Sequence, residues 1–167
     1  ACGFEDIQSN ERFVLNINHL RSKRGTGKES NAKRMTNVDS LLVMLHNIQE
    51  NQIFHDTDIL LVGDYNCYTQ EQPIQTLIQN GYEDLVMQYD STGYSYVYHS
   101  EAGYLDRVFA SPTMAKQVKM VHPYHLNTDY FYSRGFKRGL DKTIFRYADH
   151  DPILISIQLV PNHIHHD

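Results

Sequence analysis

Apolar residues in this chain come in short blocks, and the rhythm of each block predicts its element. Phe13 to Leu20 alternates, so Leu15, Ile17 and His19 share one face of a strand. Gly25, Thr26 and Gly27 break the pattern and predict a loop. From Asn31 to Gln49 the rhythm changes, and Met35, Val38, Leu41, Leu42, Leu45 and Ile48 recur every three or four residues. That spacing predicts an amphipathic helix, with Ser30 or Asn31 available as its cap. A polar link through Asp56 leads to Ile59-Leu60-Leu61-Val62, a continuous oily run of the kind found in buried strands.

Farther along, Pro73 and Gly81 bracket a short helix with Ile74, Leu77 and Ile78 turned inward. Tyr94 to Tyr98 and Tyr104 to Ala110 read as strands. Ser111 and Pro112 can cap and open a helical turn before a short strand, Val118 to Val121. Ile153 to Leu159 predicts a last strand, with Pro152 at its entrance, where a missing N–H is tolerated. Between these lies His122 to Tyr147, without a sustained period. Its Tyr and Phe residues argue against disorder, and so long a stretch in a compact domain is usually functional. Strands alternating with helices, then several strands in succession, predict a mixed α/β layered domain.

Gly63-Asp64-Tyr65-Asn66 follows the oily run directly. In an extended chain Asp64 and Asn66 point one way and Tyr65 the other. Gly63 allows a backbone or a ligand to approach closely. A carboxylate beside a carboxamide at the end of a buried strand suits a hydrated metal or a polarised phosphate. A plain strand-end turn uses the same residue types.

The 167 residues suffice for a single domain, 1–167, with a sizeable core. A net charge of −5 excludes a global basic footprint for nucleic acid. Arg21, Lys23, Arg24 and Lys28 still form a local basic patch, which reads equally as a solvated loop. Twelve Tyr, seven Phe and no Trp are a lopsided set, fit for a wet concave surface or for strand faces. Cys2, in a terminus expected to be loose, and Cys67 give no disulfide framework. No run approaches the ~20 apolar residues of a membrane span. The histidine-rich end, 162–167, reads as a frayed tail.

Four polar clusters abut predicted strands: His19, Asp64 with Asn66, Asp106 with Arg107, and Asp149-His150-Asp151 before Pro152. Alone, Asp106 and Arg107 would make a surface ion pair of little consequence. Taken in order, Asn18-His19-Leu20-Arg21-Ser22-Lys23, Gly63-Asp64-Tyr65-Asn66, Leu105-Asp106-Arg107-Val108-Phe109-Ala110-Ser111 and Asp149-His150-Asp151-Pro152 carry a resemblance. The sequence resembles the endonuclease/exonuclease/phosphatase superfamily, whose fold is that of deoxyribonuclease I-like enzymes. The stretches around His19, Asn31 to Arg34 and Tyr96 to Ser111 look closest to secreted bacterial nucleases of that superfamily.

The resemblance implies a four-layer α/β sandwich, with mixed but mostly antiparallel sheets and flanking helices. It also implies divalent-metal-dependent hydrolysis of phosphodiesters, with nucleic acid as substrate. Under it, Asp64 orients or deprotonates the attacking water with help from Asn66, which also contacts the phosphate. His150, oriented by Asp106, stabilises charge on the phosphoryl oxygens, and His19 bonds the scissile phosphate. Asp149 and Asp64 hold Mg2+, Ca2+ or Mn2+, while Arg21, Lys23 and Arg34 touch backbone phosphates. A histidine paired with a carboxylate suits a role that needs a cation near neutral pH. Secretion, or a place in the periplasm or cell envelope, is expected on the same ground. A phosphatase or phospholipase acting on inositol phosphates, sugar phosphates or sphingolipids keeps the same residues. A non-catalytic half-domain is the alternative of another class.

The chain departs from the family at its start. The metal-binding glutamate and the asparagine of the family's first strands have no counterpart before Phe13, where Glu5 and Glu11 lie in a short polar segment. The expectation is therefore the carboxyl-terminal part of such a domain, inactive alone and weak in metal binding. Its uncovered sheet face is expected to associate with a missing amino-terminal half or with a second copy.

Overall fold

A computed structural model describes residues 1–24, 27–51, 58–130 and 145–159. The first strand, β1 (Cys2–Glu5), pairs antiparallel with β2 (Arg12–His19). The sequence pattern predicts a loose terminus here, and two cross-strand pairs explain the difference. Phe4 stacks on Phe13 with ring centres 5.4 Å apart, and Arg12 Nε meets Glu5 Oε2 at 2.6 Å. Next comes α1 (Gly27–Glu50), which starts a turn earlier than a Ser30 or Asn31 cap predicts. Ser30 sits inside the first turn instead, its Oγ donating to Gly27 O at 3.3 Å.

The oily run forms β3 (Ile59–Asp64), parallel to β2. In α2 (Gln72–Gln79) Ile74 and Leu77 are buried, whereas Ile78 is exposed. At 3.6 residues per turn Ile78 lies about 100° from Leu77, off the buried stripe. Two short elements the pattern does not predict follow, β4 (Glu83–Asp84) and α3 (Leu85–Tyr89), the helix capped by Asp84 accepting from Met87 N. The strand predicted from Tyr94 is shorter, β5 (Tyr96–Tyr98), and forms a hairpin with β6 (Glu101–Gly103). Then β7 (Asp106–Ala110) pairs antiparallel with both β3 and β4. Ser111 caps α4 (Pro112–Gln117), accepting from Met114 N. Finally β8 (Val118–Pro123) and β9 (Ile153–Ile157) make a separate antiparallel pair. The large sheet runs β1-β2-β3-β7-β4, antiparallel except at β2–β3. This is the mixed, mostly antiparallel α/β arrangement that the sequence resemblance implies.

Strand alternation sends side chains to two cores. Val14, Ile59, Leu61 and Phe109 pack on Val38, Leu41, Leu45 and Ile48 of α1 and on Ile74 and Leu77 of α2. On the other face Leu60, Val108 and Ala110 meet Leu85, Val86, Met114, Val118 and Val121, with Ile153, Ile155 and Ile157 of β9 against them. That second face is covered unevenly. Phe13 and Leu15 are half-buried there, yet Ile17 is 75% exposed.

Arg107 is not the surface partner of Asp106. It is 1% exposed and binds Asp84 at 2.9 Å, with Thr69 Oγ1 and Tyr104 O also accepting. A buried guanidinium is tolerable because these oxygens replace its water. Cys2 and Cys67 are both free, one exposed and one buried. No helix among the described residues is long and apolar enough to cross a membrane. Residues 131–144 of the aperiodic stretch and the histidine-rich end lie outside the described residues.

Candidate active site

Three adjacent strands bring one polar residue each to the same level. The register pairs His19 of β2 with Asp64 of β3, and Asp64 with Asp106 of β7. By alternation all three share the face of Leu15, Leu60 and Val108, so they continue the rim of the second core. His19 Nε2 lies 3.6 Å from Asp64 Oδ2.

Asp64 and Asn66 meet, but not through an extended chain. The strand stops at Asp64 and Asn66 takes a left-handed φ of 50°. Its N–H donates to Asp64 Oδ1 at 2.8 Å, and its Nδ2 donates to Asp64 Oδ2 at 3.0 Å and to Leu20 O at 3.1 Å. This is a local turn in which asparagine grips the aspartate. Tyr65 goes the other way, into the first core, edge-on to Phe109. Gly63, with φ +128°, is required here: a Cβ would collide with the carbonyl oxygen of Asn18. Burial pushes the Asp64 carboxyl above its usual range, opposed by the Asn66 N–H; Asp106 adds to the rise, while His150 and His19 oppose it.

His150 arrives from far along the chain through a β-bridge to Tyr96, beside the bond from Asp151 N to Ser95 O at 2.8 Å. Its Nδ1 lies 2.7 Å from Asp106 Oδ2, which also accepts from Ser95 Oγ at 2.7 Å. Burial works against charge on this imidazole, but the hydrogen bond to Asp106 and the charges of Asp106, Asp64 and Asp149 outweigh it. The net effect holds the His150 pKa above the ordinary imidazole value.

The loop carrying His150 is itself clamped. Asn127 Nδ2 donates to His150 O at 2.6 Å and its Oδ1 accepts from Ala148 N at 3.3 Å. Asp151 Oδ1 accepts from the N–H groups of Leu126, Asn127 and Thr128, and its Oδ2 meets His125 Nδ1 at 2.8 Å.

These residues open onto a cleft of about 1250 Å³ lined by His19, Arg21, Lys23, Asp64, Asn66, Asp106, Asp149 and His150. Of the residues predicted to touch substrate, Arg34 is elsewhere. It is 3% exposed, donating to Arg21 O at 3.3 Å and to Glu71 at 3.4 Å, so it holds the basic loop from beneath. The cleft also contains Arg24 of the basic patch, and residues that motif reasoning missed, among them Asn37, Tyr68, Tyr96 and Tyr98. Ser95, the second partner of Asp106, was legible in principle. In Tyr94-Ser95-Tyr96-Val97-Tyr98 the tyrosines alternate to one face and Ser95 falls on the other.

The fold family implies a divalent cation. Among the described residues, Asp64, Asp106 and His150 are the group whose ligand atoms all lie within 4.8 Å of one another. His150 Nδ1 and Asp106 Oδ2 are engaged with each other, and the carboxylates of Asp64, Asp106 and the exposed Asp149 all line the cleft. Two carboxylates with water completing the shell suit a small hard dication. Burial is the main reason the Asp64 carboxyl is raised, a desolvation that a bound dication would offset, and the donor set fits.

No protein-family model matches the chain, and no curated protein matches it in sequence. Solved structures do. An endonuclease/exonuclease/phosphatase family protein from Bacteroides thetaiotaomicron superposes with a TM-score of 0.63 at 16% identity, over 98% of this chain and 55% of that one. An AP endonuclease from Archaeoglobus fulgidus gives 0.61 at 10% identity, over 86% and 60%. A mannosyl-6-phosphatase from Bacteroides thetaiotaomicron gives 0.61 at 17% identity, over 92% and 54%. The chain therefore has the endonuclease/exonuclease/phosphatase fold, and spans just over half the length of these proteins.

Proposed function

We propose that this chain is the carboxyl-terminal part of a phosphoester hydrolase domain of the endonuclease/exonuclease/phosphatase superfamily, acting on phosphodiesters of nucleic acid with little sequence preference. One observation carries the reading: Asp64, Asp106 and His150 converge within 4.8 Å, with His19 3.6 Å from Asp64. Hydrolysis needs an activated water, donors for the phosphoryl oxygens and a route for the leaving group. Asp64, held by Asn66, accepts a proton from the water as its oxygen bonds to phosphorus. The bond from phosphorus to the leaving oxygen breaks, and that oxygen takes a proton from solvent. His150 is fixed by Asp106 at Nδ1, so its Nε2–H donates to a non-bridging oxygen, and His19 donates to the same phosphate. A magnesium, calcium or manganese ion bound by Asp64 and Asp149 would supply further charge neutralisation.

The test is hydrolysis of plasmid and of a chromogenic phosphodiester, in magnesium or calcium, by the protein that contains this chain. Asp64→Ala and His150→Ala are each expected to lower kcat by roughly 10²- to 10⁴-fold. Unchanged turnover in both variants overturns the assignment.

A phosphatase acting on small phosphoesters is the second reading. It is favoured by the likeness to the mannosyl-6-phosphatase and by the net charge of −5. Relative kcat/KM on DNA and on sugar phosphates decides between the two. Secretion or a place in the cell envelope belongs to the same proposal, and cell fractionation checks it.

A further inference from the structure

Four rings contact one another in succession, starting from His150 in the cleft. His150 lies 4.6 Å from Tyr96, Tyr96 is 6.3 Å from Tyr98 with ring planes 11° apart, and Tyr98 is 4.2 Å from His99. Tyr96 and Tyr98 are two residues apart on β5 and so project from one face. Tyr98 is 57% exposed, so its ring adds little to the core. The turn that ends this row is costly: His99 and Ser100 carry φ values of +49° and +69°, where glycine or asparagine is the usual choice. A strained turn holding an exposed, ordered row of rings points to a ligand with flat faces.

Charge lies on the other flank. Arg21, Lys23 and Arg24 follow β2, whereas the hairpin leads into β7, and β3 with Asp64 stands between those two strands. Both flanks line the same cleft, where Lys23 Nζ, ion-paired with Glu71, also sits 4.2 Å over the Tyr68 ring. Basic side chains tracking a backbone, opposite a row of rings that receive bases, is the arrangement that binds single-stranded nucleic acid.

We propose that the cleft takes a single-stranded polynucleotide, with phosphates along Arg21, Lys23 and Arg24 and unpaired bases on the Tyr96–Tyr98 platform. In a duplex each base face is covered by its stacked neighbours, so only a splayed strand reaches these rings. The inference rests on the hydrolase reading for the position of the scissile phosphate. It adds the preferred substrate class.

Binding is measured by fluorescence anisotropy without added metal, so that no strand is cut. The probes are a labelled oligothymidylate, an abasic deoxyribose-phosphate oligomer of equal length, and the matching duplex. The oligothymidylate is expected to bind about tenfold or more tighter than the abasic strand, and tighter than the duplex. Tyr98→Ala should weaken oligothymidylate binding roughly five- to hundredfold and leave the abasic strand at its wild-type affinity. Tyr98→Phe, which keeps the ring, should bind as wild type. Equal affinity for the two single strands, preference for duplex, or indifference to Tyr98→Ala overturns the platform. Phosphodiester turnover that depends on Asp64 still stands in each of those cases. Loss of the hydrolase reading itself appears in the turnover of Asp64→Ala, which this binding assay does not use.

Discussion

Asp106 accepts from Ser95 and holds His150, so its carboxylate decides where the imidazolium stands and how long it stays charged. The folded-state pKa of His150 is raised above the ~6.5 of free imidazole. Activity that needs the cation therefore persists past that value and falls as pH rises through the raised one. Asp106→Asn removes the main source of the shift, so the alkaline limb of a pH–rate profile is expected to move to lower pH. Asp151 behaves oppositely. Burial alone would raise its pKa, but bonds from Thr128, His125 and the Asn127 and Thr128 backbone bring it below the usual value. Its stabilising effect is present above about pH 3.9 and is lost as pH falls through the lower folded value. Thermal melts should accordingly show a shallower acid-side loss in Asp151→Asn. At this scale His19, Asp64, Asp106 and His150 were legible, because each sits at the end of an apolar block. Asn66 lies against Asp64 as alternation predicts, but through a left-handed turn and not an extended chain. Arg34 departs from the expectation because a basic residue near a basic loop gives no sign in the sequence of being buried beneath it.

The elements that set the site are β2, β3 and β7, and their mutual register depends on Gly63. Gly63→Ala meets both an unfavourable φ and the Asn18 carbonyl, so it is expected to destabilise the fold by more than ~1 kcal/mol. Urea denaturation with an unchanged m-value would check this, and wild-type stability would contradict it. The oily run of β3 and the helical period of α1 were plain in the sequence, since burial on both faces or along one stripe leaves a periodic trace. Shorter or more exposed elements leave none. All four residues of β1 are exposed, β4 has two residues, and the β5–β6 turn uses His99-Ser100 in place of a recognisable Asn-Gly.

At the scale of the whole molecule, one sheet face is only partly covered by the described residues. Phe4 is exposed to 47% and Ile17, at 75%, is the most exposed apolar residue of the β2 row that carries Phe13 and Leu15. An apolar strip of that kind favours association, with a second copy or with polypeptide corresponding to the remainder of the similar structures. Sedimentation velocity should give a weight-average mass that rises with concentration, and Ile17→Lys should reduce the rise; a clean monomer throughout would count against it. The central claim is narrower: that residues distant in sequence form one phosphate-binding pocket at the rim of the sheet. Its most direct test is the imidazole ¹⁵N spectrum of the chain titrated with inorganic phosphate and magnesium. The ring signals of His19 and His150 should move together, and Asp64→Ala should abolish both responses. Signals that stay fixed, or that respond independently of Asp64, would contradict a shared site.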